Sequence, residues 1–249
     1  MSIILFLLGL VVGSFLNVCI HRLPRDESIV WPASHCPACS KRLGPLELVP
    51  IVSFLFLRGK CSTCKTPISW RYPLIELLTG LYFVLCYPLI SNPYSLAFSL
   101  FFGCLLIVIF FIDLEHQVIP DSLNVIGIVG GFFFNFLNGQ IVQSLIGFAL
   151  GFSLLLLIAK FGQAIFKKEA LGEGDLFLAA MLGAWLGWNV LLAVFLSYLI
   201  AGVIVFILLS AKKVKFGDLI PFGPFLAAGG LIAFFFGSQI VSWYLGLFL

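Results

Sequence analysis

The sequence predicts an all-α, polytopic membrane protein with about eight transmembrane helices and a small cytoplasmic four-cysteine, zinc-binding insertion. Three observations lead there. Of 249 residues, 61% are hydrophobic and 10% charged, with a mean hydropathy of +1.16, whereas soluble domains carry roughly a quarter charged residues. Apolar runs near the length needed to cross a bilayer, about 20 residues, recur along the chain. The charged residues gather between those runs. Runs of this length mean helices rather than barrel strands, because backbone polar groups in lipid must be satisfied internally. The basic residues are few and loop-bound, which excludes a nucleic-acid surface and leaves the lipid bilayer as the expected surroundings.

The spans fall at about 3–20, 72–90, 94–112, 122–137, 141–161, 175–188, 189–210 and 221–247. The first leads straight into a basic loop, without a basic leader region or small-residue cleavage site, so it reads as a retained helix rather than a signal peptide. Turns are expected at Ser91-Asn92-Pro93 and Asn138-Gly139-Gln140. The eighth span carries Gly229-Gly230 and Gly237 and is compatible with two shorter helices.

Orientation follows from the basic residues. Eight lie between Arg22 and Arg71, three are Lys160, Lys167 and Lys168, and three are Lys212, Lys213 and Lys215. In an eight-span arrangement all three groups share one side, which the positive-inside rule makes cytoplasmic. Both termini are then outside. The chain divides into a first helix (1–20), an insertion (21–71) and a membrane domain (72–249). Within the insertion the apolar patch Leu46 to Leu57 is too short to span. It is expected to pack within the insertion or rest on the membrane surface.

The insertion holds Cys36-Pro-Ala-Cys39 and Cys61-Ser-Thr-Cys64. Two such CxxC knuckles complete a tetrahedral thiolate site of the structural zinc kind. Four thiolates leave no open position for a reactive water, so the zinc is expected to be structural. A reducing cytoplasm argues against paired disulfides. His35 beside Cys36 reads as a bystander, and Cys19, Cys86 and Cys104 as small buried apolar side chains.

Ionisable groups in spans are functional candidates. Asp113 ends the third span. Asp121, after Pro120, reads as an N-cap of the fourth. Asp175 closes Gly172-Glu173-Gly174-Asp175 at the start of the sixth span, where it serves either as a cap or as a catalytic group. Asp113 and Asp175 lie at the same cytoplasmic boundary in this topology. Two carboxylates brought together share one proton, one acting as base and one as acid. Such a pair suffices for peptide hydrolysis. Serine-nucleophile, HExxH and phosphate-loop signatures are absent.

The motifs together resemble a known family, the bacterial type IV prepilin peptidases, which are GxGD-type intramembrane aspartyl proteases. The similar segments are Gly13 to Pro24, the paired CxxC motifs, Arg71-Tyr-Pro-Leu-Ile-Glu76, Asp113 with Pro120-Asp121, Gly172 to Asp175 continuing to Trp188, and Pro221 to Gly229. The resemblance implies Asp113 and Asp175 as catalytic residues and Cys36, Cys39, Cys61 and Cys64 as zinc ligands. It implies cleavage of prepilin and type II secretion pseudopilin precursors, and N-methylation of the new terminus from S-adenosylmethionine, in the bacterial cytoplasmic (inner) membrane. Phe177 stands where many members have a lysine. Arg71, Glu76 and Asp26 are polar candidates for the methyl-donor site, each with an ordinary structural reading as well. A proton- or ion-coupled transporter with a zinc-stabilised module is the alternative, weakened by the lack of an internal repeat. An assembly scaffold is a third reading, and it gives no reason for two aspartates at one boundary.

Overall fold

The computed structural model describes residues 1–167, 171–215 and 218–247; Lys168 of the second basic group lies outside them. Among the described residues every regular element is helical, with two isolated bridges in the insertion. Helices α1 (Ser2–Arg22), α3 (Arg71–Leu89), α4 (Pro93–His116), α5 (Asp121–Leu137), α6 (Ile141–Phe166), α7 (Glu173–Leu186), α8 (Val190–Ser210) and α9 (Gly223–Leu245) match the eight expected spans, and α2 (Val52–Phe56) is a short turn inside the insertion. Among the described residues six segments are long and apolar enough to cross a membrane; in one of them α7 and α8 run together through a 3-10 turn at Gly187–Asn189. The 17 residues of α5 are apolar but shorter. Two compact units divide at Val108/Ile109, within α4.

In the first unit α1 and α3 run antiparallel and very close. A Cβ at Gly9 would lie 2.7 Å from the Gly80 Cα, and one at Gly13 the same distance from the Glu76 Cα. Small residues let backbones approach to this degree where lipid supplies no hydrophobic drive between helices. Asn17 Nδ2, a turn further on, donates to the Tyr72 carbonyl at 3.1 Å. Gly103 of α4 accommodates the Tyr82 ring of α3, whose hydroxyl donates to the Ser99 carbonyl at 2.6 Å.

The second unit is built around α7. Leu178 to Trp185 are all buried, as expected of a helix that is apolar all round. Gly183 and Ala179 meet the backbone of α6 at Gly147 and Gly151. On the α5 side, Asn135 Nδ2 donates to the Ala184 carbonyl at 2.8 Å, and Trp185 Nε1 to the Gly127 carbonyl at 2.8 Å. Helix α9 is one continuous helix. Its glycines are points of close approach: Gly229 faces Ser197 and Ala193, Gly230 faces Leu182, and Gly237 faces Asn189. The sequence-level option of two shorter helices is therefore corrected.

Candidate active site and metal centre

The last turn of α4 carries Asp113, 5% exposed. One of its carboxylate oxygens accepts the Gly223 N–H, at the first position of α9, at 2.9 Å. That approach requires a glycine, since a Cβ at Gly223 would stand 2.6 Å from the same oxygen. Beyond α4 the chain turns through Gln117 in the left-handed region (φ 55°) and packs Ile119 against Gly174, where a Cβ would sit 3.0 Å from the Ile119 Cβ. Asn124 Nδ2 donates to the Gly174 carbonyl at 3.4 Å. The glycine-rich start of α7 is thus clasped by α5 and by the loop before it.

Asp175 is the third residue of α7, whose N-cap is Gly172. One oxygen, Oδ1, is buried without a hydrogen-bond partner, and Oδ2 lies 3.6 Å from where a Gly172 Cβ would be. Asp113 and Asp175 line one recess of about 210 Å3 with Gln117, Val118, Ile119, Gly172, Glu173 and Gly174. The structure therefore brings the two sequence-predicted carboxylates together at one end of the second unit. An unpartnered carboxylate oxygen beside a second carboxylate, in a recess with room for water, is the arrangement that acid–base hydrolysis needs.

Asp121 does not join them. It is the first helical residue of α5; Pro120, with extended backbone (φ −60°, ψ 130°), takes the N-cap place and there is no side-chain cap bond. The N-cap reading of Asp121 is corrected accordingly, although its charge still suits the helix N-terminus. Phe177 turns its ring toward Phe152 of α6, with centroids 5.7 Å apart. Gly223 is the participant that residue-type reasoning missed, because it acts through its backbone. The available signal was a glycine held between aromatic and proline residues in Pro221-Phe-Gly-Pro224.

In the first unit the four thiols of Cys36, Cys39, Cys61 and Cys64 all lie within 4.8 Å of one another. Cys36 and Cys64 Sγ are 3.8 Å apart, near the edge of a tetrahedron with Zn–S bonds of about 2.3 Å and far beyond a disulfide bond. The knuckles repeat one geometry. Ser40 N–H donates to the Cys36 carbonyl and Cys36 N–H to that of Lys41, while Lys65 N–H donates to the Cys61 carbonyl and Cys61 N–H to that of Thr66. Ser40 and Lys65 both take left-handed backbone, φ 55° and 59°. Glu47 ties the knuckles together, accepting from Gly44 N–H (2.8 Å), Lys41 Nζ (2.9 Å) and the Ser62 hydroxyl. The Gly44 N–H above all, then Ser62 and Lys41, hold its carboxyl down at about 2. His35 is exposed and bonds locally through Nδ1 with the Ala33 carbonyl. Cys19 and Cys86 are buried and Cys104 half-buried.

Arg71 opens α3, Asp26 follows a 3-10 turn in left-handed backbone, and Glu76 is buried in α3, where it accepts the Ile51 N–H at 2.7 Å.

Comparison with known proteins matches residues 7–90 to the bacterial peptidase A24 N-terminal domain and residues 100–208 to the type IV leader peptidase family. A prepilin leader peptidase/N-methyltransferase of Myxococcus xanthus is 45% identical over 210 residues, covering 84% of this chain and 63% of that protein. Proteins of the same description from Aeromonas hydrophila and Pseudomonas aeruginosa are each 36% identical, covering 99% and 96% of this chain and 94% and 91% of theirs. No solved structure matches the chain.

Proposed function

Because the chain belongs to the bacterial type IV leader peptidase family, we propose that it cleaves prepilin and pseudopilin precursors through Asp113 and Asp175 and then methylates the new N-terminus. The observation that supports the catalytic assignment is the shared recess: both carboxylates line it, one with an oxygen free of partners. One proton shared between them leaves one carboxylate to take a proton from water and one carboxylic acid to donate to the scissile carbonyl. The water oxygen attacks the carbonyl carbon, the C–N bond breaks, and the departing amine takes up a proton from the pair. The Gly223 N–H fixes one Asp113 oxygen, which orients its carboxyl without placing a further charge beside it.

The substrate suits this position. A prepilin is expected to carry its leader on the cytoplasmic side of an apolar helix, with the scissile bond at the boundary where the basic loops also lie. The bacterial cytoplasmic membrane, with the insertion and the aspartates facing the cytoplasm and both termini outside, is part of the same proposal. The cysteine cluster fits zinc in ligand type and spacing; it would hold residues 21–71 together, with residues 72–249 as the peptidase part. S-adenosylmethionine would supply the methyl group for the second activity. Nothing in the fold or the comparisons favours a transporter.

The test is mass spectrometry of a prepilin incubated with the lipid-reconstituted protein and S-adenosylmethionine. Loss of the leader plus one methyl mass is expected. Asp113→Asn and Asp175→Asn should each lower cleavage by about 100- to 10,000-fold, the range for a positioned acid or base. Unaltered cleavage in either variant would refute the aspartate assignment.

A further inference from the structure

The insertion carries two uncharged apolar stretches, the shorter at residues 29–33 and the longer beginning at Val49. Residues 49–57 read Val-Pro-Ile-Val-Ser-Phe-Leu-Phe-Leu, without a charge, and Arg58 and Lys60 follow at once. This stretch does not build a core for the insertion. Phe54 alone is buried, edge-on to Trp70 with ring centroids 4.8 Å apart, while Val52, Leu55 and Phe56 point outward, Phe56 at 84% exposure.

One bond ties this stretch to the middle of the α1–α3 pair. The Ile51 N–H donates to the Glu76 carboxylate at 2.7 Å. Glu76 lies five residues beyond Arg71 in α3, about 7 to 8 Å along the axis at 1.5 Å per residue. The 19 residues of α3 measure about 28 Å, no more than the roughly 30 Å of bilayer hydrocarbon. The helix therefore needs its whole length to span, Arg71 belongs at the interface, and Glu76 lies inside the leaflet. The packing of Glu76 on Gly13, nine residues short of the end of α1, agrees with that depth. Ile51 is carried down with it. Its backbone is strained for a β-branched residue (φ 60°, ψ −50°), and such strain persists only where the surroundings over-determine it. Here a Val52 N–H to Pro50 carbonyl bond closes a γ-turn across Ile51, and the Glu76 carboxylate holds the Ile51 N–H.

We propose that residues 49–57 form a lipid-inserted wedge, with α2 lying among the acyl chains of the leaflet on the insertion's side. Val52, Leu55 and Phe56 are exposed apolar side chains, as are Leu74, Leu77 and Leu78 of α3. Arg58 and Lys60 lie at the wedge's outer end, where they meet anionic headgroups. Five helical residues cannot cross a bilayer, so the wedge enters and leaves on the same side. The expectation that the patch packs within the insertion or rests on the membrane surface is thereby sharpened to insertion below the headgroups.

The test uses the full chain in nanodiscs of phosphatidylethanolamine and phosphatidylglycerol. A benzophenone amino acid replaces Phe56, or Phe161 (outward on α6), or Lys65 (exposed in the second knuckle), and adducts are weighed after illumination. Phe56 and Phe161 labels should capture lipid and the Lys65 label should not. A Phe56 label that behaves like Lys65, or that joins a second protein chain instead of lipid, overturns the proposal. Glu76→Ala should reduce lipid capture at position 56 severalfold, while Glu76→Gln, which keeps an acceptor oxygen, retains it. The Phe161 label in each variant reports insertion, so unchanged capture at 56 in inserted Glu76→Ala would overturn the Glu76 staple.

Discussion

Gly223 shows how much of this site rests on a single hydrogen atom in place of a side chain. Its N–H fixes Asp113, and a methyl group there would fall 2.6 Å from the carboxylate oxygen it serves. Gly223→Ala should therefore lower cleavage about 100-fold, the scale of a 1 Å misplacement, with helical content unchanged by circular dichroism. Cleavage at the original rate would show that the Gly223 contact does not set the Asp113 geometry. Glu47 offers a second test at this scale. Its carboxyl is depressed to about 2, chiefly by the Gly44 N–H. A depressed carboxyl contributes stability that is complete above its unfolded value and is lost as pH falls toward about 2. Between pH 5 and 2 the wild-type insertion should lose its advantage over Glu47→Gln. Hydrogen exchange at Gly44 and the neighbouring knuckle, compared between the two proteins, measures it; a difference independent of pH would remove Glu47 from that role.

Among the elements, the membrane helices were legible because each apolar run ends at a turn residue or a charge. Gly172 and Pro120 stop and restart helices where expected. What could not be read was the purpose of glycines inside runs. Those of α9 look like breaks in sequence and act as contacts in the fold, because only a facing helix distinguishes the two. The carboxylate pair was legible as two boundary aspartates. Its Gly223 contact and the Ile51–Glu76 bond join residues 110 and 25 positions apart, separations that no local pattern encodes. The α6–α7 crossing gives the sharpest prediction here. A Cβ at Gly183 would fall 1.9 Å from the Gly147 carbonyl oxygen, backbone that cannot rotate away. Gly183→Ala should cost about 1–3 kcal/mol as overpacking does, lowering the temperature of irreversible inactivation. An unaltered inactivation temperature would mean that the two helices have room to separate.

At the scale of the molecule, the two compact units carry different chemistry. The thiol cluster lies wholly within the first and the paired aspartates wholly within the second. The insertion is short of apolar core, since Phe54 and the cluster cysteines Cys36 and Cys61 are its buried apolar side chains among the described residues. A metal held by four thiolates can then supply much of its folding energy, whereas α7 is held by packing on α5, α6 and α9 without it. Prolonged chelation in lipid should remove one zinc per chain, measured by elemental analysis. Amide exchange should rise sharply across residues 34–69 while α7 stays protected. Re-addition of zinc should restore protection, because a ligand that binds only the folded form stabilises it by mass action. Exposure of α7 together with the insertion would instead mean that the metal supports both units, and the division of labour drawn from the cysteine cluster would have to be abandoned.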